Sequence, residues 1–94
     1  MMNVYADEEK VKKIADHYGI KNQLRQLAEE CSELSVEALH CIREKGGTER
    51  ISEEMVDVLI MIQQIIYFLR EDREELEEYA DYKLDRQLKR IEQE

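Results

Sequence analysis

The sequence contains no proline, has only three glycines among its 94 residues, and draws 6% of its residues from the aromatic types. Few positions can therefore interrupt a helix by missing an amide hydrogen or by excess backbone freedom. Charged residues make up 39% of the chain. This composition favours long helices over a sheet, so the fold class is predicted to be all-α.

Cysteine is scarce, and Cys31 and Cys41 form neither a CxxC pair nor a zinc-ligand spacing. No disulfide framework is indicated, which fits a reducing cytoplasm. Residues 1–7 lack the basic start and apolar run of a signal peptide, and no apolar run is long enough to span a bilayer. A soluble, cytoplasmic protein without a membrane partner is expected.

Basic residues are also few, with 14 Lys and Arg against 23 Asp and Glu, for a formal charge of −9. Such a chain is not attracted to nucleic-acid phosphates, so nucleic acid is not expected as a partner. A nucleotide would need a bound cation.

The length predicts one helical domain over residues 1–94 with a modest core. Asp7 is expected to cap a first helix that stops at Gly19, and a second helix runs from about Lys21 to Glu44 before Gly46-Gly47. Its apolar stripe is predicted to be buried and comprises Leu24, Leu27, Ala28, Cys31, Leu34, Ser35, Ala38, Leu39 and Ile42.

The third helix, capped by Thr48 or Ser52, is apolar on nearly every side from Met55 to Leu69. One small subunit can hardly cover such a helix, which favours a partner subunit. Residues 70–75 are read as the turn into a fourth helix with its own stripe, formed by Leu76, Ala80, Leu84, Leu88 and Ile91. The predicted architecture is an antiparallel bundle of about four helices, completed in a homodimer or homotetramer.

Two pairs of acidic residues stand out, Glu30 with Glu33 and Glu54 with Asp57. Residues three apart share a helix face, so each pair places two carboxylates side by side. Glu54 and Asp57 adjoin the third helix's apolar stripe and are predicted to point into the bundle, where unpaired charge is costly. On the second helix, Glu30 is expected to be less solvated than Glu33 and Glu37. Dense carboxylate oxygens suit Mg²⁺, so the sequence predicts a metal site.

The pattern E-E-x-x-E at 29–33 followed by E-x-x-D at 54–57 resembles the MazG-like all-α nucleoside triphosphate pyrophosphohydrolases. The flanking Gln26-Leu27-Ala28 and Val58-Leu59-Ile60 are also similar to that family, and the resemblance covers roughly residues 19 to 70. It implies Mg²⁺-dependent hydrolysis of a nucleoside triphosphate to a nucleoside monophosphate and pyrophosphate, with a role that includes clearing non-canonical nucleotides. Mn²⁺ is expected to substitute.

By this resemblance, Glu30, Glu33, Glu54 and Asp57 hold the metal, and Glu29 or one of the four orients the attacking water. Weaker similarity reaches Lys83 and Arg86, which would neutralise the triphosphate unless they pair with surface acids. Gln23 and Gln26 precede the acidic motif and are further candidates for contacting base or sugar.

Two other interpretations remain open. A phosphoribosyl-ATP pyrophosphohydrolase shares the helical acidic-motif architecture. A non-enzymatic helical adaptor would instead bind a partner protein through its apolar third helix, with the acids merely solvating the surface.

Overall fold

The computed structural model describes residues 6–43 and 48–94, and these ranges form four α-helices and no strand. They are α1 (Glu8–Tyr18), α2 (Ile20–Arg43), α3 (Glu49–Leu69) and α4 (Arg73–Gln93). The all-α prediction is confirmed. Among these described helices, none combines the length and the apolar character needed to cross a membrane.

The first helix begins and ends where the sequence predicts. The Asp7 carboxylate accepts a hydrogen bond of 3.1 Å from the backbone N–H of Lys10, which satisfies a free amide of the first turn. Gly19 ends the helix at φ +85°, a conformation that costs glycine little. The chain then turns directly into α2 at Ile20.

Helices α2 and α3 pack against each other as an antiparallel pair. The side chain of Gln23, near the start of α2, is hydrogen-bonded to Gln64 near the end of α3, whereas Glu30 and Glu33 lie close to Glu54 near the start of α3. The two helices therefore run in opposite directions. The predicted helix end at Gly46-Gly47 lies outside the described residues.

The core lies among α1, α2 and α3. Val11 and Ala15 of α1 and Val58 and Met61 of α3 are its buried apolar side chains within the described ranges. Gln64 is buried among them with 1% of its surface exposed. A small core that includes amide groups relies on their hydrogen bonds being satisfied.

The prediction that the apolar stripe of α2 is buried is wrong for most of its residues. Leu27, Leu34 and Ala38 are half-buried against the rest of the bundle. The other members are exposed, namely Leu24, Ala28, Cys31, Ser35, Leu39 and Ile42. The reason is that α3 packs on one side of this stripe and leaves the other side in solvent, so that Ile42 is 81% exposed.

Helix α3 is better covered than its composition suggests. Most of its apolar side chains are half-buried, and Met55, Val56 and Leu69 are exposed. The longer uncovered apolar surfaces belong to α2 and α4. The uncovered apolar surface thus lies elsewhere than the sequence of α3 predicts.

The turn between α3 and α4 is shorter than the predicted 70–75 segment. Arg70 adopts a left-handed conformation with φ 52°, and its N–H bonds back to the carbonyl of Tyr67 at 3.2 Å. Asp72 then caps α4 by accepting from the N–H of Glu74 at 3.0 Å. A left-handed residue and an acidic cap therefore supply the stop and start signals without glycine or proline.

Helix α4 stands apart from the other three. Within the described chain it packs closely against none of them, and none of its residues is buried. An open groove of about 660 Å³ separates it from α1 and α3, lined in part by Val11, Ile66, Leu76, Ala80 and Leu84. The single chain thus has three packed helices and a fourth whose apolar stripe is largely uncovered.

Candidate metal centre

Three of the predicted acidic residues meet between α2 and α3. Glu30 and Glu33 lie one turn apart on α2, and Glu54 lies in the second turn of α3. One carboxylate oxygen from each lies within 4.8 Å of the other two. The antiparallel pairing brings them together, because it sets the middle of α2 beside the first turns of α3.

The three carboxylates differ in how much water reaches them. Glu30 and Glu54 are half-buried and Glu33 is exposed, as expected for Glu30 relative to Glu33. Gln26 donates a hydrogen bond of 2.9 Å to Oε1 of Glu30. The Oε2 atoms of Glu30 and of Glu54 are buried and have no hydrogen-bond partner among the described residues. Buried anionic oxygens without donors are costly unless something positive meets them.

The Glu54 carboxyl group of the cluster has a clearly raised pKa. Its burial raises the pKa of this carboxyl above the usual 4.5, and the negative charges of Glu33, Asp57 and Glu30 raise it further. The close approach of the Glu33 carboxyl group acts in the same direction. The arrangement therefore favours a proton or a cation at this point.

Asp57 does not belong to the close set of three. It is exposed, so the prediction that it points into the bundle with Glu54 is wrong. Asp57 lies one turn beyond Glu54 on α3, and its side chain is in solvent. It remains near enough for its charge to raise the pKa of Glu54.

Two acidic neighbours on α2 show the limits of the helical pattern. Glu29 is exposed, as a residue on the outer face should be. Glu37 was expected to point outward but has a side chain only 17% exposed, and its carboxylate lies 3.5 Å from Nδ1 of His40. Glu37 lies on the α3 side of α2, where the neighbouring helix partly covers it.

Both glutamines proposed for base or sugar contacts use their amides within the protein. Gln23 is 6% exposed and donates to Gln64 at 2.8 Å, across the α2–α3 interface. Gln26 donates to Glu30. The structure thus places Gln23 in the core and Gln26 beside the acidic cluster. The spacing of Gln26 and Glu30, four residues apart on one helix, was a signal that could have indicated this contact.

Lys83 and Arg86 are exposed on α4. The guanidinium of Arg86 lies 5.8 Å from the ring centre of Tyr82, a cation–π contact on its own helix. Because α4 does not pack against α2 or α3 within the described chain, a single chain does not bring these two cations onto the three carboxylates.

Comparison of the chain with family models, with curated proteins and with solved structures gives no match.

Proposed function

We propose that this chain is a Mg²⁺-dependent nucleoside triphosphate pyrophosphohydrolase that releases a nucleoside monophosphate and pyrophosphate. The resemblance of the acidic motif to the MazG-like family supplies the reaction. The convergence of Glu30, Glu33 and Glu54 within 4.8 Å is the structural observation that supports it most. In the sequence the two halves of the motif are 21 residues apart from Glu33 to Glu54, yet the fold joins them.

The residues present fit a hard divalent cation. The donors are carboxylate oxygens, and two of them, on Glu30 and Glu54, are buried without a partner in the described chain. Mg²⁺ prefers such ligands together with water and phosphate oxygens, and Mn²⁺ accepts the same set. When bound, the ion would neutralise phosphate charge and lower the pKa of a bound water.

The chain's own residues would bind the metal, orient its ligands and the attacking water, and contact the substrate. Glu30, Glu33 and Glu54 would hold the ion, and Asp57, one turn further along α3, would complete the set from the solvent side. Gln26 would keep the Glu30 carboxylate oriented through its hydrogen bond. Glu29, exposed beside the cluster, is our candidate for orienting the attacking water. Lys83 and Arg86 stay predicted triphosphate contacts, although α4 of the same chain does not bring them onto the three carboxylates.

The overall negative charge of the chain agrees with a substrate that binds through a cation. At −9 the protein repels a triphosphate, so substrate would bind only together with the cation. We place the activity in the cytoplasm, because both cysteines are free thiols exposed to solvent and no disulfide contributes to the fold of the described chain.

A helical adaptor is a second candidate, because exposed apolar side chains line both α2 and α4. An adaptor needs no metal, and its acidic residues would only solvate the surface. A phosphoribosyl-ATP pyrophosphohydrolase would use the same acidic cluster, so substrate preference alone separates it from the main proposal.

The test is a screen of canonical nucleotides, modified nucleotides and phosphoribosyl-ATP for pyrophosphate release with Mg²⁺ and with EDTA. We expect Mg²⁺-dependent release that Glu54→Gln and Glu30→Gln abolish, while Glu49→Gln at the exposed start of α3 keeps it. Release that survives EDTA, or that Glu54→Gln leaves unchanged, would contradict the proposal. Inactivity on all substrates with unaltered melting in Mg²⁺ would favour the adaptor.

A further inference from the structure

Two apolar stripes of this chain lie open to solvent along nearly the whole length of their helices. On α2 the stripe, here the α2 outer stripe, consists of Ile20, Leu24, Ala28, Cys31, Leu39 and Ile42, all exposed. On α4 it consists of Leu76, Ala80, Leu84, Leu88 and Ile91, of which the last two are 58% and 62% exposed. Isolated exposed apolar residues are ordinary, but two long stripes on a 94-residue chain, interrupted on α2 only at the polar Ser35, mark an interaction surface.

We propose that the two stripes cover each other between two copies of this chain. In this homodimer, α2 of one copy packs antiparallel against α4 of the other, on the side where α4 borders the open groove. A two-fold axis repeats the contact, so that both stripes of both copies are covered.

Charge selects this pairing over the alternatives. Each residue of a helix is rotated by about 100° about the helix axis relative to the one before it. Lys21, Arg25 and Arg43 lie beside the α2 outer stripe on the side reached by further rotation in that direction, which is here called the forward flank. Glu74, Asp81 and Glu92 form the forward flank of the α4 stripe, defined in the same way. When two helices pack antiparallel, the forward flank of one faces the forward flank of the other. The basic residues of α2 therefore meet the acidic residues of α4.

The other antiparallel pairings oppose like charges. An α2–α2 contact would set Lys21 and Arg25 against the same basic flank of the partner, and an end-to-end α4–α4 contact would set Glu74 against Glu92. Like charges across an interface disfavour those arrangements. A parallel α2–α4 contact is also disfavoured, because the other flank of α4 carries Lys83 and Arg90.

The spacing of the two stripes supports the same arrangement. Helices α2 and α4 have 24 and 21 residues, so they can be aligned end to end. In the antiparallel alignment Leu24 lies opposite Ile91, and Leu39 lies opposite Leu76. The same register sets Cys31 opposite Leu84, while Arg25 and Glu92 come close at one end.

This register can be tested by cross-linking through the native thiol of Cys31. The test protein carries Leu84→Cys and Cys41→Ser, and diamide oxidises it before a non-reducing gel. We expect a band at twice the chain mass that disappears on reduction and in the Cys31→Ser version. Tyr82→Cys, on the opposite face of α4, is the matched control and should give no such band.

Each other outcome overturns the proposal. A dimer band that persists in the Cys31→Ser version would show an α4–α4 contact. A disulfide within one chain would show α4 folded onto its own α2, and the lack of any disulfide in a folded protein would remove the contact. If Leu84→Cys does not fold, Leu24→Cys with Ile91→Cys in a Cys31→Ser, Cys41→Ser background tests the same register.

A charge exchange gives an independent measurement in solution. Arg25→Glu should weaken dimerisation by about tenfold or more in sedimentation experiments, because it opposes Glu92 of the other copy. Adding Glu92→Arg should restore the affinity. A monomeric wild-type protein at micromolar concentration, or failure of the second change to rescue the first, would contradict this interface.

Discussion

Gln26 donates a hydrogen bond of 2.9 Å to Oε1 of Glu30, while Oε2 of the same carboxylate is buried with no partner in the described chain. The bond restrains the Glu30 carboxylate and leaves one buried oxygen of it free of any partner in the described chain. Groups that orient metal ligands in this way typically change metal affinity by 10- to 100-fold when removed.

We therefore expect Gln26→Met to weaken Mg²⁺ binding by about tenfold while the helical fold is kept. Calorimetric titration with Mg²⁺ measures the affinity, and circular dichroism checks the fold. Gln87→Met, at an exposed position of α4, is the control and should bind as the wild type does. Equal affinity of Gln26→Met and wild type would show that the bond does not orient the site.

The buried amide pair of Gln23 and Gln64 should contribute to stability only as a pair. Gln64→Leu leaves the Gln23 amide buried without its acceptor, which should lower the free energy of unfolding by about 1–3 kcal/mol. Replacing both residues by leucine removes the unsatisfied group and should recover much of that loss. Urea unfolding of the single and double variants measures the difference. Additive losses would show that the two amides act independently.

The hydrogen bond between Tyr67 and Asp16 predicts a loss of stability at alkaline pH. The Tyr67 hydroxyl donates to Asp16 at 2.7 Å, and this bond, with burial and the Asp16 charge, raises the pKa of Tyr67 above 10.0. The unfolded chain releases this proton first, so the stabilisation is complete below about pH 10 and is lost as the pH rises through the folded-state value.

Melting curves from about pH 8 to about pH 11 of wild type and Tyr67→Phe measure this effect. The difference between the two proteins should shrink as the pH rises, because the phenylalanine variant lacks both the bond and the titrating group. A constant difference over this range would show that the bond contributes no pH dependence.

How far the sequence predicts this protein varies along the chain. The all-α class and the limits of α1 followed from composition, the Asp7 cap and Gly19, which are local signals. Glu30, Glu33 and Glu54 come together only because α2 and α3 pack antiparallel. The apolar residues beside these acids already indicate in the sequence that the acids lie near a helix–helix interface. These features depend on one helix or on two neighbouring ones.

The errors have a common physical origin. Periodicity shows that Leu24 and Ile42 lie on an apolar stripe, but it does not show which other helix covers that stripe. The apolar neighbours of Asp57 predict that it lies inside the bundle, but its side chain is exposed to solvent. The turn at Arg70 carries no glycine, so its left-handed backbone was invisible in the sequence. Helix packing decides the burial of the first three residues, whereas the turn at Arg70 is closed by hydrogen bonds to its own helix end.

The central claim is that Glu30, Glu33 and Glu54 bind a divalent cation for catalysis, and paired measurements on Glu54→Gln test it most directly. One is pyrophosphate release with Mg²⁺, and the other is the melting temperature with EDTA and with Mg²⁺. The claim predicts that Mg²⁺ raises the melting temperature of wild type but not of the variant, which loses activity. In EDTA the variant should melt at or above the wild-type temperature, because it lacks a charge that its neighbours repel. A variant that stays fully active, or that unfolds without metal, would show that Glu54 serves a structural network and would contradict the claim.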